Sequence, residues 1–253
     1  MEKLERQATQ VILEAGDILL NNYRKPKSVS HKGKRDLVTD IDNQVNQFLM
    51  DRLTKLCDSG FLGEEGSSGE EKATIWIVDP IDGTTNFIHS YPFFCISVAL
   101  EVDKQLQIGL VYLPVLDILY HTRRGEGAYE NNDRIHVSET AEIIDALMAT
   151  GFPYKDTELD NIMKRLEKMI RNSQGIRRSG SAATDLCHVA RGYVDGFWEQ
   201  GLKPWDTAAG TLLVQEAGGK LTDYTGKPYH YDDDTLIASN GVLQDKILGI
   251  LRI

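Results

Sequence analysis

The chain has 253 residues and a formal net charge of −10, enough length for one large or two medium domains. Hydrophobic residues make up 41% of the sequence and charged residues 26%, which is the composition of an ordinary globular protein. The acidic balance argues against a nucleic-acid-binding surface spread over the whole chain. The three cysteines, Cys57, Cys95 and Cys187, lack the paired spacing of a disulfide framework or a zinc site.

The N-terminal residues bear on where the protein acts. Residues 1–6 are mostly charged or polar and lack the apolar region of a signal peptide. No stretch of the sequence approaches the roughly 20 apolar residues of a membrane span. We therefore expect a cytoplasmic protein with no membrane partner.

The first quarter of the chain predicts two helices and two loops. Apolar residues recur at helical spacing over about the first 22 residues, which predicts an amphipathic helix. Residues 25–35 are polar and basic and predict a loop. A second helix is expected from near Thr39, where Thr39 and Asp42 resemble a capping box with aspartate in place of glutamate. Residues 59–72 are rich in Gly, Ser and Glu and predict a solvated loop, which contains Gly63-Glu64-Glu65-Gly66.

The most informative stretch is Asp79-Pro80-Ile81-Asp82-Gly83-Thr84, which follows a β-branched run at 75–78. The run predicts a buried strand with Asp79 at its carboxyl end. Pro80 is expected to end the strand, and Asp82 to follow a tight turn. The amides of Gly83 and Thr84 can open a helix and present unpaired N–H groups to an anion. Two close carboxylates repel unless a cation lies between them, although each aspartate alone is also explained by a turn or a cap.

The remaining elements divide the chain into two halves. Apolar segments at 93–102, 105–112, 118–122 and 127–130 are separated by short turns and predict an antiparallel meander. Strands are then expected at 146–150, 194–198, 220–222 and 236–239, and helices at 158–170, 181–191, 207–217 and 242–253. This alternation indicates an α/β half. We therefore predict an N-terminal α+β subdomain over residues 1–140 and a C-terminal α/β subdomain over residues 141–253, packed as one body.

A second group of candidate residues lies in the C-terminal half. Trp205-Asp206-Thr207-Ala208-Ala209-Gly210 is followed by Glu216-Ala217-Gly218-Gly219. Asp206 precedes a helix of small residues, where a helix N-cap is the simple explanation. Glu199 lies at the end of a predicted strand and is equally explained as an exposed surface acid.

Residues 76–87 and 205–219 resemble, in the same order, the two signatures of the inositol monophosphatase family. This family comprises magnesium-dependent, lithium-sensitive sugar phosphatases. The resemblance implies a layered α/β/α/β/α sandwich, with an antiparallel sheet in the N-terminal half and a smaller mixed sheet in the C-terminal half. It also implies a homodimer and the hydrolysis of inositol monophosphate by a metal-activated water. Because no cysteine or histidine in these motifs offers a covalent nucleophile, we predict that no phosphoenzyme intermediate forms.

The resemblance also assigns roles to individual residues. It implies that Glu64, Asp79 and the backbone carbonyl of Ile81 hold one Mg²⁺, that Asp79, Asp82 and Asp206 hold a second, and that Glu64 reaches a third. Oxygen ligands of this kind suit a hard cation. The remaining roles are implied as follows: catalysis by Glu64 and Thr84 with Asp42 in support; phosphate binding by Asp82, Gly83 and Thr84; polyol contacts by Gly180, Ser181, Ala182 and Glu199.

Two alternatives stay open. The same chemistry could act on fructose 1,6-bisphosphate or on the 2′-phosphate of NADP(H), and basic residues that could neutralise a second phosphate favour this option; they are Lys32, Lys34, Arg177 and Arg178. Arg177 and Arg178 are equally explained by a solvated turn. Alternatively, the chain could bind the transcription machinery, as some bacterial relatives do independently of catalysis.

Overall fold

The computed structural model describes residues 1–25, 29–31, 37–69, 71–152 and 159–252, with backbone only for 29–31, 37 and 38. Its helices are α1 Glu2–Asn22, α2 Asp40–Leu53, α3 Thr84–Ile88, α4 Leu159–Asn172, α5 Ala182–Arg191, α6 Pro204–Glu216 and α7 Gln244–Leu251. Its strands are β1 Val29–His31, β2 Leu37–Thr39, β3 Gly60–Gly63, β4 Gly66–Ser68, β5 Thr74–Asp82, β6 Cys95–Val102, β7 Gln105–Leu113, β8 Ile118–Arg123, β9 Ala128–Glu130, β10 Asp133–Ile135, β11 Leu147–Thr150, β12 Gly175–Arg177, β13 Gly196–Gln200, β14 Lys220–Thr222 and β15 Thr235–Ser239.

The N-terminal half is built on an eight-stranded sheet with the order β10-β9-β8-β7-β6-β5-β3-β4. Strands β5 to β10 form a continuous antiparallel meander, of which β6 to β9 were predicted, and β3 joins β5 in parallel. The C-terminal half carries a five-stranded sheet with the order β12-β11-β13-β15-β14. Strand β11 is parallel to β12 and β13, whereas β15 is antiparallel to β13 and β14. The smaller sheet is therefore mixed, as expected.

The two sheets and their helices form five layers. Helices α1 and α2 bury their apolar faces against one side of the large sheet, where Trp76, Val98 and Leu110 belong to the same core. Helices α5 and α6 fill the space between the two sheets and share a core with Ile77 and Val111 on the opposite side of the large sheet. Helices α4 and α7 cover the outer side of the small sheet. The predicted α/β/α/β/α order is confirmed.

Two segments predicted as loops form short strands instead. Within residues 25–35, Val29–His31 forms β1 and pairs with β2, while residues 26–28 and 32–36, including Lys32 and Lys34, lie outside the described residues. Within residues 59–72, β3 and β4 form a hairpin at the edge of the large sheet. A Cβ on Gly60 would lie 2.0 Å from the carbonyl oxygen of Gly69, so the glycine allows a close backbone approach rather than marking a loop.

Strand β5 also runs further than predicted. Pro80 does not end the strand, because the pairing continues from Asp79 opposite Ser97 to Asp82 opposite Cys95. Three steps along β5 face two along β6, so one residue is extra and the strand bulges between the two aspartates. A bulge tolerates a proline because the ladder hydrogen bond is already interrupted there. The expected tight turn is therefore a β-bulge.

Smaller differences concern the ends of elements. Strands β10 and β12 were not predicted, and α6 begins at Pro204, a residue favoured in the first turn of a helix, rather than at Thr207. The predicted helix over 158–170 corresponds to α4, with Glu158 outside the described residues. Among the described residues, no helix combines the length and the apolar character needed to cross a membrane. The boundary near residue 140 stays a prediction.

Candidate active site

The candidate residues meet where β5 ends and where α3, α5 and α6 begin. Gly83 precedes α3 with a φ of 96°, a left-handed conformation that favours glycine. A Cβ at this position would lie 3.1 Å from the carbonyl oxygen of Phe93 and 3.3 Å from that of Gly180. Glycine therefore lets the segments before β6 and α5 close around the start of α3.

Asp79 lies at the centre of the group of acids. Its side chain is buried, and its Oδ1 accepts a hydrogen bond of 2.9 Å from the amide of Ile81 across the bulge. Burial raises the pKa of this carboxyl well above its usual range, and the charges of Glu64, Asp82 and Asp206 raise it further. Four carboxylates from three separate stretches of the sequence therefore interact here.

Asp82 is held by the start of α5. Its Oδ2 accepts hydrogen bonds of 2.7 Å from the Ser181 hydroxyl and 2.7 Å from the amide of Ala183. The Cys95 thiol lies 3.8 Å from the same oxygen. Burial raises the pKa of Asp82, while the hydrogen bonds from α5 act in the opposite direction. The first residues of α5 therefore hold the buried Asp82 carboxyl in place.

Asp206 is not the N-cap of α6. The N-cap is Lys203, and Asp206 lies three residues later, where its Oδ2 accepts a hydrogen bond of 2.7 Å from the Lys203 amide. Burial of its side chain raises the pKa of Asp206, and the charge of Asp82 raises it further, to about 8. The residue therefore caps the helix from the first turn while its charge acts on the other acids.

Glu64 lies in the turn between β3 and β4. Its amide donates a hydrogen bond of 3.2 Å to the carbonyl of Val78, which anchors the turn on β5. Its charge raises the pKa values of both Asp79 and Asp206. The hairpin that replaces the predicted loop thus brings Glu64 to the other acids.

Asp42 both caps a helix and contacts the candidate site, so its two interpretations are compatible. Its Oδ2 accepts a hydrogen bond of 2.8 Å from the Thr39 amide, in the predicted capping box. Its Oδ1 accepts the Thr84 hydroxyl at 3.0 Å, and the same hydroxyl lies 3.0 Å from the carbonyl oxygen of Ile81. Burial raises the pKa of Asp42 although its hydrogen bonds oppose this change. The side chain therefore links α2 to the start of α3.

The residues expected to contact a polyol lie along the start of α5 and the end of β13. Ser181 is the N-cap of α5 and directs its hydroxyl at Asp82, and Ala182 is the first residue of the helix. Burial and then the charges of Asp185 and Asp206 raise the pKa of Glu199 well above its usual range. A Cβ on Gly151 would lie 2.0 Å from Oε2 of Glu199. The contacts of these residues with a polyol stay predictions.

Two contributors were missed by the sequence analysis. Asp185 is 2% exposed in the first turn of α5, and its charge acts on both Asp82 and Glu199. Its position four residues after Ser181 places it on the same face of the helix, which is the signal that could have found it. Asn86 donates a hydrogen bond of 2.9 Å to the carbonyl of Ser179 and so ties α3 to the segment before α5. That contact spans 93 residues of sequence and leaves no local pattern.

The two arginines proposed to neutralise a second phosphate, Arg177 and Arg178, are both exposed. Arg177 is exposed in β12, so it does not lie in a turn. Arg178 is also exposed, and its guanidinium carbon lies 5.7 Å from the ring centroid of Phe152. The charge of Arg178 counteracts the effect of burial on the pKa values of Asp185 and Glu199. Its electrostatic influence is therefore directed at the polyol side of the site.

The donor atoms fit a hard cation in type. Within the described ranges, no three His, Cys, Asp or Glu side chains are gathered closely enough to hold a metal ion as they stand. The acids nevertheless raise one another's pKa values, which is the repulsion that a cation between them relieves. Carboxylate and carbonyl oxygens are the ligands that Mg²⁺ prefers.

Fold and site together define a layered α/β protein whose cluster of acids has the donors expected of a phosphate-ester hydrolase. The chain belongs to the inositol monophosphatase family, whose model matches residues 1–253. The family resemblance and the fold class are thereby confirmed.

Relatives and solved structures cover almost the whole chain. The inositol-1-monophosphatase of Mesorhizobium japonicum is 39% identical over 249 residues, or 96% of this chain and 94% of that protein. The Nus factor SuhB of Pseudomonas aeruginosa is 37% identical, over 95% of this chain and 92% of that protein. The crystal structure of the extragenic suppressor protein suhB from Bartonella henselae is 38% identical with a TM-score of 0.93, and 96% of each chain is covered.

Ligand-bound structures are also similar to this chain. Two structures of the Staphylococcus aureus inositol monophosphatase II are described as bound to inositol monophosphate and to 2′-AMP. Each is 26% identical with a TM-score of 0.82, covering 98% of this chain and 92% or 93% of theirs. Among these relatives, those named inositol monophosphatase indicate a phosphatase.

Proposed function

We propose that the protein is a Mg²⁺-dependent phosphomonoesterase that hydrolyses inositol monophosphate to inositol and phosphate. The observation that supports this most is the meeting of Glu64, Asp79, Asp82 and Asp206, whose charges raise the pKa values of Asp79 and Asp206. Burying such a group of acids without a cation is costly, because charge in a low-dielectric site is poorly solvated. Bound hard cations, as in a metal-dependent phosphatase, would offset this cost by neutralising the acids.

The metal ligands are proposed from the resemblance and the donor types. Glu64, Asp79 and the Ile81 carbonyl would hold one ion, and Asp79, Asp82 and Asp206 a second, with Glu64 reaching a third. The chemistry that bound Mg²⁺ supplies in such a site is a lower pKa for a water molecule and neutralisation of charge on the phosphate.

The protein's own residues orient the reactants. The Thr84 hydroxyl donates to Asp42 or to the Ile81 carbonyl, so its oxygen lone pairs can accept a hydrogen bond from the attacking water. Glu64 is the proposed acceptor of the proton that this water loses. The backbone amides of Gly83 and Thr84 would donate hydrogen bonds to the phosphate oxygens. Asp82 would contribute to the same phosphate site.

Substrate recognition is proposed for the residues that the C-terminal half contributes to the site. Glu199 would accept hydrogen bonds from ring hydroxyls, and Gly180, Ser181 and Ala182 would contact the polyol through their backbone. Residues that could neutralise a second phosphate, Arg177 and Arg178, keep a bisphosphate or NADP(H) as the alternative substrate. The related structure described as bound to 2′-AMP favours testing a 2′-phosphate. We further propose, on the family resemblance, that the protein acts as a cytoplasmic homodimer.

The test is phosphate release by the purified protein with Mg²⁺. The substrates are inositol 1-phosphate, fructose 1,6-bisphosphate, NADP⁺ and 3′-phosphoadenosine 5′-phosphate. We expect the fastest release from inositol 1-phosphate and complete loss with EDTA. The matched variant is Asp79→Asn, which should remain folded, because a neutral amide removes charge repulsion, but should be inactive. Full activity in that variant contradicts the site, and release from another substrate alone reassigns the specificity.

A second function is suggested by the relative named Nus factor SuhB. If this chain also binds the transcription machinery, RNA polymerase should co-purify with it. That binding should be unchanged in Asp82→Asn, because the variant alters the acid cluster and not the outer surface. Inactivity towards every phosphate ester in a folded protein, together with such binding, would favour this role.

A further inference from the structure

Asn46 lies behind the proposed active site and has no role in the functions described so far. It is 4% exposed on α2, four residues after Asp42. Residues four apart lie on the same face of a helix, so the Asp42 and Asn46 side chains project from one face of α2. Asp42 contacts Thr84 at the start of α3, whereas Asn46 points at the β3–β4 hairpin.

The Asn46 amide packs against the two glycines that close the turn around Glu64. A Cβ on Gly63 would lie 2.5 Å from Oδ1 of Asn46 and 2.9 Å from the carbonyl oxygen of Gly66. A Cβ on Gly66 would lie 3.8 Å from Nδ2 of Asn46. At Gly63 no space remains for a methyl group. The Asn46 amide therefore lies directly against the turn at Gly63 and next to Gly66.

The chemistry of Asn46 is unusual for a packing residue. Its Oδ1 is buried and has no hydrogen-bond partner among the described residues. A buried amide oxygen without a partner is destabilising, and an aliphatic side chain of the same shape would avoid that cost. Rotation about χ2 exchanges Oδ1 and Nδ2, so the same side chain can donate to a backbone carbonyl of the turn or accept from an amide.

We propose that Asn46 is a positioning residue: its buried amide sets the Gly63–Gly66 turn and thereby places Glu64 against Asp79. One helix would then fix both sides of the reaction centre, with Asp42 holding Thr84 and Asn46 holding the turn of Glu64. The inference rests on the proposed function only for the role of Glu64. The mechanical link between α2 and the hairpin stands without it.

The test uses Asn46→Leu, with Gln44→Leu as the matched control on the exposed face of the same helix. The first readout is amide hydrogen exchange of residues 60–69 in EDTA, which we expect to be faster in Asn46→Leu alone. The second is the Mg²⁺ concentration for half-maximal phosphate release, which we expect to rise about 10- to 100-fold, as for other residues that support a metal ligand. The melting temperature in EDTA should not fall, because the unpaired oxygen is removed. Asn46→Ala, which adds no bulk, repeats both readouts if Asn46→Leu folds poorly.

Each result separates this inference from the proposed function. Faster hairpin exchange with a raised Mg²⁺ requirement supports the positioning role. Wild-type exchange and wild-type Mg²⁺ requirement overturn it, even if the melting temperature changes, since a merely structural residue alters stability alone. If the wild-type protein releases no phosphate, the proposed function fails, and hairpin exchange by itself then decides whether Asn46 sets the turn.

Discussion

At the scale of single residues, the candidate site depends on how each acid is held as much as on its charge. Asp82 receives two hydrogen bonds of 2.7 Å from the start of α5, and Asp206 accepts one from the Lys203 amide. Such donors keep a buried carboxylate in one orientation and offset part of its desolvation. Residues at the starts of α5 and α6 therefore fix the orientation of Asp82 and Asp206.

We expect Ser181→Ala to lose activity and stability together. The variant removes a donor from Asp82 and the N-cap of α5, so phosphate release should fall about 10- to 100-fold. The free energy of unfolding should fall by about 1–2 kcal/mol. The measurements are steady-state phosphate release and urea unfolding.

The control for Ser181→Ala is Ser173→Ala. Ser173 is also buried and donates a hydrogen bond of 2.8 Å to the Met169 carbonyl, but it follows α4 in the outer layer. That variant should lose stability and keep its activity. Equal activity losses in both variants would mean that the hydroxyl of Ser181 has no special role at Asp82.

At the scale of elements, α1 is anchored on the large sheet by a charged cluster. Glu5 lies 2.9 Å from Nδ1 of His121 and 2.7 Å from Nε of Arg123. Burial alone would raise the pKa of Glu5, but His121 and Arg123 outweigh it and lower the pKa. Burial alone would lower the pKa of His121, but Glu5 and the Asn131 carbonyl outweigh it and raise the pKa.

These opposite shifts predict a pH window for the anchoring of α1. The His121 contribution is complete below its unfolded pKa of 6.5 and is lost as the pH rises through the raised folded pKa. The Glu5 contribution is complete above its unfolded pKa of 4.5 and is lost as the pH falls through the lowered folded pKa. His121→Gln should therefore reduce the free energy of unfolding by about 1 kcal/mol more at pH 6 than at pH 8.

Urea unfolding at the two pH values measures this difference. The control is His136→Gln, because His136 is exposed and its replacement should have the same small effect at both. A His121 effect that is equal at pH 6 and pH 8, or larger at pH 8, would contradict the proposed charge interaction.

The contact between α5 and α6 depends on a glycine. A Cβ on Gly210 would lie 2.6 Å from Cβ of Leu186, so one helix must shift to accept a methyl group. We expect Gly210→Ala to destabilise by about 1 kcal/mol, since overpacking costs about 1–3 kcal/mol and better helix propensity returns about 1 kcal/mol.

Gly249→Ala is the opposite case. Nothing lies within 4 Å of a Cβ at that exposed position in α7, so the variant should stabilise by about 0.5–1 kcal/mol. Urea unfolding of both variants checks the two signs. A stabilised Gly210→Ala would show that the two helices separate at no cost.

Which elements the sequence predicts depends on where their stabilising contacts come from. The central strands of the meander are continuous apolar runs bounded by turns, and α5 has an apolar periodicity of its own, so their sequences predict them. The hairpin of β3 and β4 has short strands rich in glycine, whose pairing is supplied by β5 rather than by a pattern of their own. Similarly, the bulge of β5 depends on the pairing partner, because a proline alone predicts the end of a strand.

The candidate site divides in the same way. The signatures around Asp79 and Asp206 identify the acids from local motifs, but the donors to Asp82 lie 99 and 101 residues away in sequence. The simpler explanation of Asp206 as an N-cap fails because α6 begins three residues earlier than predicted, which makes Asp206 the third residue of the helix. Contacts between residues so far apart in the sequence are determined only by the packing of the layers.

At the scale of the whole molecule, the two halves share one core. Ile77, Val111 and Tyr120 on the large sheet lie in the same buried cluster as Leu186 and Leu213 on α5 and α6. Without the C-terminal half, that side of the large sheet would be exposed, and the loss of buried apolar area would exceed the small stability of a typical domain.

We therefore expect the fragment 1–140 to remain unfolded and the full chain to unfold in one transition. Circular dichroism and tryptophan fluorescence, followed in urea, should give the same midpoint for the full chain. The fragment should show no cooperative transition. A folded fragment with its own midpoint would show that the boundary near residue 140 separates independent domains.

The long sequence separation between Asp82 and its donors also affects events during synthesis. A ribosome that adds about 5–20 residues per second needs about 5–20 s to extend the chain from Asp82 to Ala183. During that interval the acids of the N-terminal half lack both the α5 donors and Asp206. A nascent chain therefore cannot bring these acids together until its C-terminal half has emerged, so a truncated product lacks part of the candidate site.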